Sequence, residues 1–139
     1  MRYSNKRLNS VFDRTDGRCH LCHRRLAFSN YGELGSGGAW EVDHSLAKAL
    51  GGSDHLNNLY PSCVPCNRYK GVGSSRTTRA RHGKSKAPLS VMKIEAAKLD
   101  ASLAGVFLGG VVGSLFGRGG TVVGALAGLF IGLAHDPEQ

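Results

Sequence analysis

The sequence predicts an α+β fold, with a small mixed domain in its first half and an all-α segment at its C-terminal end. Two sequence patterns predict the mixed domain. The stretch 5–15 places Leu8, Val11 and Phe12 on one face of a short helix, and Trp-Glu-Val-Asp-His at 40–44 alternates like a half-buried strand. A third pattern, glycine at every fourth position beyond residue 101, predicts the all-α segment. The 139 residues allow one modest domain and an appendage.

The charge of the chain is strongly positive and unevenly placed. The formal net charge is +8, and no Asp or Glu occurs between His55 and Ile94. This balance favours an anionic partner, either nucleic acid or an acidic membrane surface, over a basic protein that binds no polyanion. The N-terminus has positive charge but no apolar stretch behind it, so a secretory signal is not expected.

The cysteines form two Cys-x-x-Cys pairs, Cys19/Cys22 and Cys63/Cys66. Two thiolates separated by two residues can reach one tetrahedral ion from a tight turn, so the pairs predict a structural Zn²⁺ that clamps two distant segments. The alternative is a set of free or redox-active thiols. His20 and His23 could also bind the ion, but we expect them to be exposed side chains in a basic turn.

Short elements and turns surround the predicted strand. Asp16-Gly17 is typical of a turn, and residues 30–39 are a Gly/Ser-rich loop. Gly51-Gly52-Ser53-Asp54 predicts a turn in which Ser53 or Asp54 caps a short helical stretch at 55–59. Residues 67–70 favour a second short helix that Gly71 ends. Simple alternation puts Asp43 and His44 on opposite faces, so the strand must end or bend there if they share a site.

The order of motifs between residues 42 and 71 is specific. Asp-His is followed by Gly-Gly, then Asn-Leu, then Cys-x-x-Cys-Asn-x-x-Lys. These residues resemble the HNH endonucleases, the ββα-metal nucleases, in their zinc-stapled form with two Cys-x-x-Cys pairs. The resemblance covers about residues 8–71, and it implies a ββα-metal domain over 1–72 that hydrolyses phosphodiester bonds in DNA.

The resemblance also implies roles for single residues. His44 would be the general base, since imidazole titrates near physiological pH, and Asn58 would brace the loop that orients it. Asp43 and Asn67 would hold one catalytic cation, and their hard oxygen atoms suit Mg²⁺ or Mn²⁺. Arg68 and Lys70 would contact phosphate. Asn67 stands where the family often has histidine, which weakens the case for a transition metal.

The remainder of the chain predicts a linker and a hairpin. Residues 73–89 are rich in Gly, Ser, Thr, Arg and Lys and predict a basic flexible linker. Ser90 is a candidate N-cap, and residues 90–135 predict a helix and then a glycine-zipper helical hairpin with Arg118 at its tip. Glycine in a soluble helix costs about 1 kcal/mol relative to Ala, whereas small residues allow close helix packing in a bilayer.

A short membrane hairpin and a zipper buried in a soluble oligomer both fit this segment. Residues 101–117 would span about 25 Å, less than the ~30 Å hydrocarbon core. We expect the protein at the cytoplasmic face of a membrane, anchored by residues 101–134, or otherwise in the cytoplasm. Two other functions stay open: a zinc-stapled nucleic-acid-binding module without catalysis, and a membrane-active glycine-zipper protein.

Overall fold

A computed structural model describes residues 3–114 of the chain. The chain divides into two compact units, of which the first extends to Val91 and the second begins at Met92. The second half of the predicted glycine hairpin, from residue 115 onward, lies outside the described residues. Between residues 3 and 114, no helix combines the length and apolar character that crossing a membrane requires.

The first helix, α1, runs from Asn5 to Phe12 and is N-capped by Ser4, whose hydroxyl accepts a hydrogen bond from the backbone N–H of Arg7. Leu8 and Val11 are its buried residues, as the apolar spacing predicts. A 3₁₀ turn at Asp13–Thr15 follows, and the chain then reverses through Asp16 and Gly17 at φ of 50° and 64°. A Cβ at Gly17 would lie 2.6 Å from the Phe12 ring, so this position requires glycine.

Two antiparallel strands, β1 at Trp40–His44 and β2 at Leu59–Cys63, form the sheet of the first unit. Their register pairs Trp40 with Cys63 and His44 with Leu59. Pro61 is tolerated in β2 because its backbone faces away from β1. Its carbonyl accepts the N–H of His20 at 2.9 Å, and the N–H and C=O of a strand residue point to the same side. The missing N–H of the proline therefore costs no bond between the strands.

Helix α2, Val64–Lys70, follows β2 without a loop and ends at Gly71, which has φ of 50°. The order β1, β2, α2 is the ββα arrangement, and the α+β prediction is confirmed. The larger apolar core joins α1 to both strands through Leu8, Val11, Trp40 and Leu59. The rings of Tyr31, Phe12 and Phe28 surround Trp40, with centroids 4.9, 5.1 and 6.1 Å from that of the indole.

Part of the predicted flexible linker is a helix, and this corrects the prediction for residues 75–81. Helix α3 runs from Ser75 to Arg81, and the Ser74 hydroxyl caps it by accepting the N–H of Arg76. Ser75 and Thr78 are buried on its inner face, where Ser75 contacts Ser45 next to His44. Capping and two small buried hydroxyls hold the helix although the segment has few apolar side chains. The last described helix, α4, runs from Val91 to Ser114.

Candidate active site and metal centre

The four cysteines converge on one point from two segments of the chain. Their sulfur atoms all lie within 4.8 Å of one another, and those of Cys22 and Cys63 are 3.8 Å apart. Four ligands at about 2.3 Å from a zinc ion stand about 3.8 Å apart at the edges of a tetrahedron. None of the cysteines is in a disulfide. The donor set and its geometry therefore fit the predicted structural zinc.

The ionisation of these thiols is coupled because they lie so close together. Hydrogen bonds from the thiols of Cys19 and Cys63 lower the pKa of Cys22 to about 2. The pKa of Cys63 is raised well above its usual range, because its thiol serves as the donor toward Cys19 and Cys22 and is buried. Burial raises the pKa of Cys66 to about 12. A divalent cation at the centre would hold all four side chains as thiolates and would offset part of their negative charge.

His82 extends the metal centre beyond its four sulfur atoms. It follows the end of α3, and its Nε2 lies 3.5 Å from the sulfur of Cys66. An imidazole N–H at this distance can donate a hydrogen bond to a thiolate, which orients the ligand. The contact also fixes the end of α3 against α2.

Asp43 is buried, with only 4% of its surface exposed, on the face of β1 that α2 covers. One carboxylate oxygen lies 2.7 Å from Nε2 of His20, and the other accepts a hydrogen bond from Nζ of Lys70 at 2.9 Å. Simple alternation predicts Asp43 on the outer face, opposite Trp40. The turn at residues 19–22, called the zinc turn below, and α2 cover that face, so Asp43 is more completely buried than Val42.

His20 differs from its prediction as an exposed side chain. It is fully buried, and its ring stacks on Tyr60 with centroids 4.9 Å apart and planes at 19°. The guanidinium of Arg14 lies 3.9 Å from the centroid of the Tyr60 ring. It also donates a hydrogen bond to the Tyr60 hydroxyl at 2.7 Å. His20 follows Cys19 directly, so one turn supplies a zinc ligand and a hydrogen bond to Asp43.

The predicted phosphate contact of Lys70 does not fit its position. The Lys70 side chain has no exposed surface, and its ammonium donates to Asp43 and, at 2.8 Å, to the carbonyl oxygen of His44. A charge buried in this way neutralises Asp43 and is not available to DNA. Arg68, two residues earlier on α2, is exposed and can reach solvent or a ligand.

His44 ends β1 and is held by the carboxylate of Asp54, which the sequence predicts only as a candidate helix cap. Its Nε2 lies 2.8 Å from Oδ1 of Asp54. Lys48 donates to the second oxygen of Asp54 at 2.6 Å, and these two partners hold the pKa of Asp54 well below its usual range. The hydroxyl of Tyr3 is 3.3 Å from Oδ1, and burial together with the Asp54 charge raises the pKa of Tyr3.

Asn58 fastens the loop between the two strands. Its side-chain oxygen accepts the N–H of Leu46 at 2.8 Å, and its amide group donates to the carbonyls of Leu46 and Ser53 at 3.0 and 2.9 Å. The loop is so tight that a Cβ at Gly52 would lie 1.8 Å from the carbonyl oxygen of Leu46. These contacts have the geometry that a brace for the loop before β2 requires.

Asn67 is oriented by an acidic neighbour on β1. Its amide nitrogen donates to a carboxylate oxygen of Glu41 at 2.8 Å, so its amide oxygen is left for another partner. Asp43, His44 and Asn67 line one cavity of about 390 Å³. β1 ends at His44, and the acid, the imidazole and the amide meet at one opening.

Residues 19–73 match the family model described as HNH endonuclease. This segment is therefore similar to the HNH endonucleases. No curated protein and no solved structure matches the chain. The family match covers both cysteine pairs, β1, β2 and α2, and it confirms the resemblance that the motif order indicates. It points to a nuclease-type function.

The sequence predicts no role in the active site for three residues of the matched segment. His20, Glu41 and Asp54 contact Asp43, Asn67 and His44, respectively, across separations of 23, 26 and 10 residues. Of these three, only Glu41 could have been placed near the site from the sequence. It precedes Asp43 by two residues, and a strand places both side chains on one face. The contacts of the other two depend on the folding of the zinc turn and the Gly-Gly loop.

Proposed function

We propose that the protein is a metal-dependent DNA endonuclease, with His44 as general base and one divalent cation on Asp43 and Asn67. The observation that carries the proposal is the shared cavity, which brings these three side chains together inside the matched segment. A base, a carboxylate and an amide oxygen at one opening provide both a proton acceptor and hard ligands for a cation.

The chemistry follows from these groups. A water molecule in the cavity would attack phosphorus while His44 takes its proton, and the bond from phosphorus to the 3′ oxygen would break. A bound Mg²⁺ or Mn²⁺ would supply charge stabilisation for the phosphate oxygens and the departing oxygen. Asn58 contributes by holding the chain on both sides of the loop, so that the imidazole stays in place.

The proposed ligands have free capacity for a cation. A carboxylate offers about four lone-pair positions, and Asp43 uses two of them, on His20 and Lys70. Asn67 commits its nitrogen to Glu41 and keeps its oxygen available. Mg²⁺ is commonly held by one or two protein oxygen ligands, with water and phosphate completing its shell. The residues present fit that pattern.

Positive charge around the domain supports DNA as the substrate. Arg68 on α2 and Arg76 and Arg81 on α3 are exposed, and no acidic residue lies between positions 55 and 94. The guanidinium of Arg81 lies 4.9 Å from the ring centroid of Tyr69, which is itself 56% exposed. Such a surface attracts the phosphate backbone without reading the base sequence.

The decisive experiment is a nicking assay on supercoiled plasmid with Mg²⁺ or Mn²⁺, comparing the wild type with His44→Ala. His55→Ala is the matched control, because His55 is exposed and outside the cavity. We expect His44→Ala to lose at least about 10²-fold in rate, the range for a general base, and His55→Ala to keep wild-type activity. Equal nicking by wild type and His44→Ala would contradict the proposal.

A second function, DNA binding without catalysis, is favoured by one observation. The ammonium of Lys70 already neutralises Asp43, which a binding module could use for stability alone. The same plasmid assay separates the two functions when DNA binding is measured in parallel. Binding without nicking at saturating Mn²⁺ would support the second function.

A further inference from the structure

Asp54 is held in place by three groups besides His44. Its second carboxylate oxygen accepts from Lys48, its first lies 3.3 Å from the Tyr3 hydroxyl, and its backbone carbonyl accepts a hydrogen bond from the Arg7 guanidinium. These partners come from α1, the segment before it and the loop after β1. The carboxylate is therefore fixed between three parts of the first unit, although 38% of its side chain is exposed.

The contact between Asp54 and His44 determines where the imidazole carries its hydrogen. An ionised carboxylate can only accept hydrogen bonds, and Lys48 keeps Asp54 ionised. Nε2 of His44, at 2.8 Å from that carboxylate, must therefore be the nitrogen that bears the hydrogen. In the neutral ring, Nδ1 is then left with the free lone pair.

Nδ1 of His44 is available in the described part of the chain. Within residues 3–114, no hydrogen bond to this atom occurs, and it is not among the buried polar atoms without a partner. The His44 side chain is 16% exposed and lines the cavity that Asp43 and Asn67 share. A water molecule that enters the cavity can reach the ring.

We propose that Asp54 is a positioning residue that fixes His44 in the tautomer with hydrogen on Nε2 and thereby assigns Nδ1 as the proton acceptor. The inference rests on the proposed function and adds the group that orients its base. Lys48 and Tyr3 have a supporting role, since they stop the carboxylate from turning toward a cation in the cavity. The pair is a carboxylate–imidazole dyad built across the Gly-Gly loop.

The tautomer can be measured directly on the full chain without DNA. Long-range ¹H–¹⁵N correlation spectra of ¹⁵N-labelled protein, at an alkaline pH where imidazole is neutral, distinguish hydrogen on Nε2 from hydrogen on Nδ1. We expect the Nε2-H form for His44 in the wild type and a mixture of both forms in Asp54→Asn, because an amide can donate or accept. The Nδ1-H form in the wild type would overturn the inference.

Kinetics of plasmid nicking provide the second readout. We expect Asp54→Asn to lower kcat by about 10- to 10²-fold, the range for groups that orient a site residue, with KM for DNA unchanged. Asp54→Glu should restore part of the rate, and Asp13→Asn, at an exposed aspartate, should change nothing. A rate for Asp54→Asn equal to or above the wild type would mean that Asp54 does not position the base, or restrains it.

The two proposals fail in distinguishable ways. If neither wild type nor His44→Ala nicks DNA, the endonuclease proposal fails, while the tautomer still reports on the contact between Asp54 and His44. If wild type nicks and Asp54→Asn nicks equally well with His44 in the same tautomer, only the positioning inference fails. Thermal unfolding of each variant shows whether a reduced nicking rate results from loss of the fold. If a variant is unfolded, the tautomer of His44 in the wild type tests the positioning inference.

Discussion

The ammonium nitrogen of Lys70 lies 2.9 Å from Oδ1 of Asp43, and the side chains of both residues are shielded from solvent. His20 contacts the other oxygen of Asp43, and the carbonyl of His44 accepts a second hydrogen bond from Lys70. Each charge is therefore compensated by a partner from a different element. Removing either one leaves the other buried and unpaired, which is costly.

We predict that Lys70→Met destabilises the first unit by about 3–5 kcal/mol, the cost of leaving one member of a buried ion pair uncompensated. The measurement is urea unfolding followed by circular dichroism. Lys86→Met is the matched control, since Lys86 is exposed, and it should change the free energy of unfolding by less than about 0.5 kcal/mol. Equal effects of the two substitutions would contradict the buried pair.

The same pair limits how the proposed metal ligand can be tested. Asp43→Ala leaves Lys70 without its carboxylate, so a lost activity in this variant could reflect a lost fold. The double variant Asp43→Leu, Lys70→Met removes both charges and should recover much of the stability, since apolar replacements of a buried pair are often neutral. Recovery of stability without recovery of nicking would separate the two roles of Asp43.

Removal of zinc should unfold the first unit. The cysteine pairs come from two segments that lie far apart in the sequence and meet at the metal centre, and a small core depends on such a link. A strong chelator should abolish the circular dichroism signature of the first unit and the unfolding transition, and added Zn²⁺ should restore both.

Metal analysis should find one zinc per chain, and Cys22→Ser should bind it much more weakly. A transition that persists after complete zinc removal would contradict this prediction.

The lowered pKa of Asp54 predicts a pH-dependent contribution to stability. A carboxylate with a depressed folded-state pKa stabilises the fold at pH above its unfolded value of about 4, and this stability is lost as the pH falls through the lower folded value. Asp54→Asn should therefore be less stable than wild type at neutral pH and approach it under strongly acidic conditions. Melting temperatures over a pH series test this, and Asp13→Asn should follow the wild type throughout. A difference between Asp54→Asn and wild type that stays constant with pH would refute the electrostatic cause.

Exposed arginines should determine how DNA affinity depends on salt. Each phosphate contact contributes about 0.9 to the slope of log affinity against log salt concentration, so Arg76→Gln and Arg68→Gln should each lower that slope by about this amount. Arg25→Gln is the control with the same change of net charge, because Arg25 is paired with Asp16 at 3.1 Å. Fluorescence anisotropy with a short duplex measures the slope. An equal effect of all three substitutions would show that net charge, and not the surface of α2 and α3, governs binding.

The parts of the fold that local patterns encode were predictable. Alternation gave the limits of β1, and the spacing of Leu8 and Val11 gave the buried face of α1. The convergence of the cysteine pairs also followed from spacing, because a shared tetrahedral ion leaves few alternatives. These features depend on neighbours within a few residues or on the chemistry of one ion.

The contacts that complete the site could not be read in the same way. The resemblance implies that Lys70 contacts phosphate, yet its place on α2 directs the ammonium at the buried carboxylate of Asp43. Composition predicts a flexible linker at residues 75–81, whereas the cap at Ser74 and the burial of Ser75 favour a helix. Contacts between side chains that lie far apart in the sequence leave no periodic pattern from which they could be predicted.

The position of His20 beside Cys19 has a consequence for the order of assembly. The turn that carries two of the proposed zinc ligands also contacts Asp43 through His20, so a chain without zinc would lose one of the two contacts that fix this carboxylate. We expect a newly made chain to hold a catalytic cation weakly until zinc has bound. Maturation of the proposed nuclease would then be gated by the supply of one metal, and an immature chain would leave DNA intact.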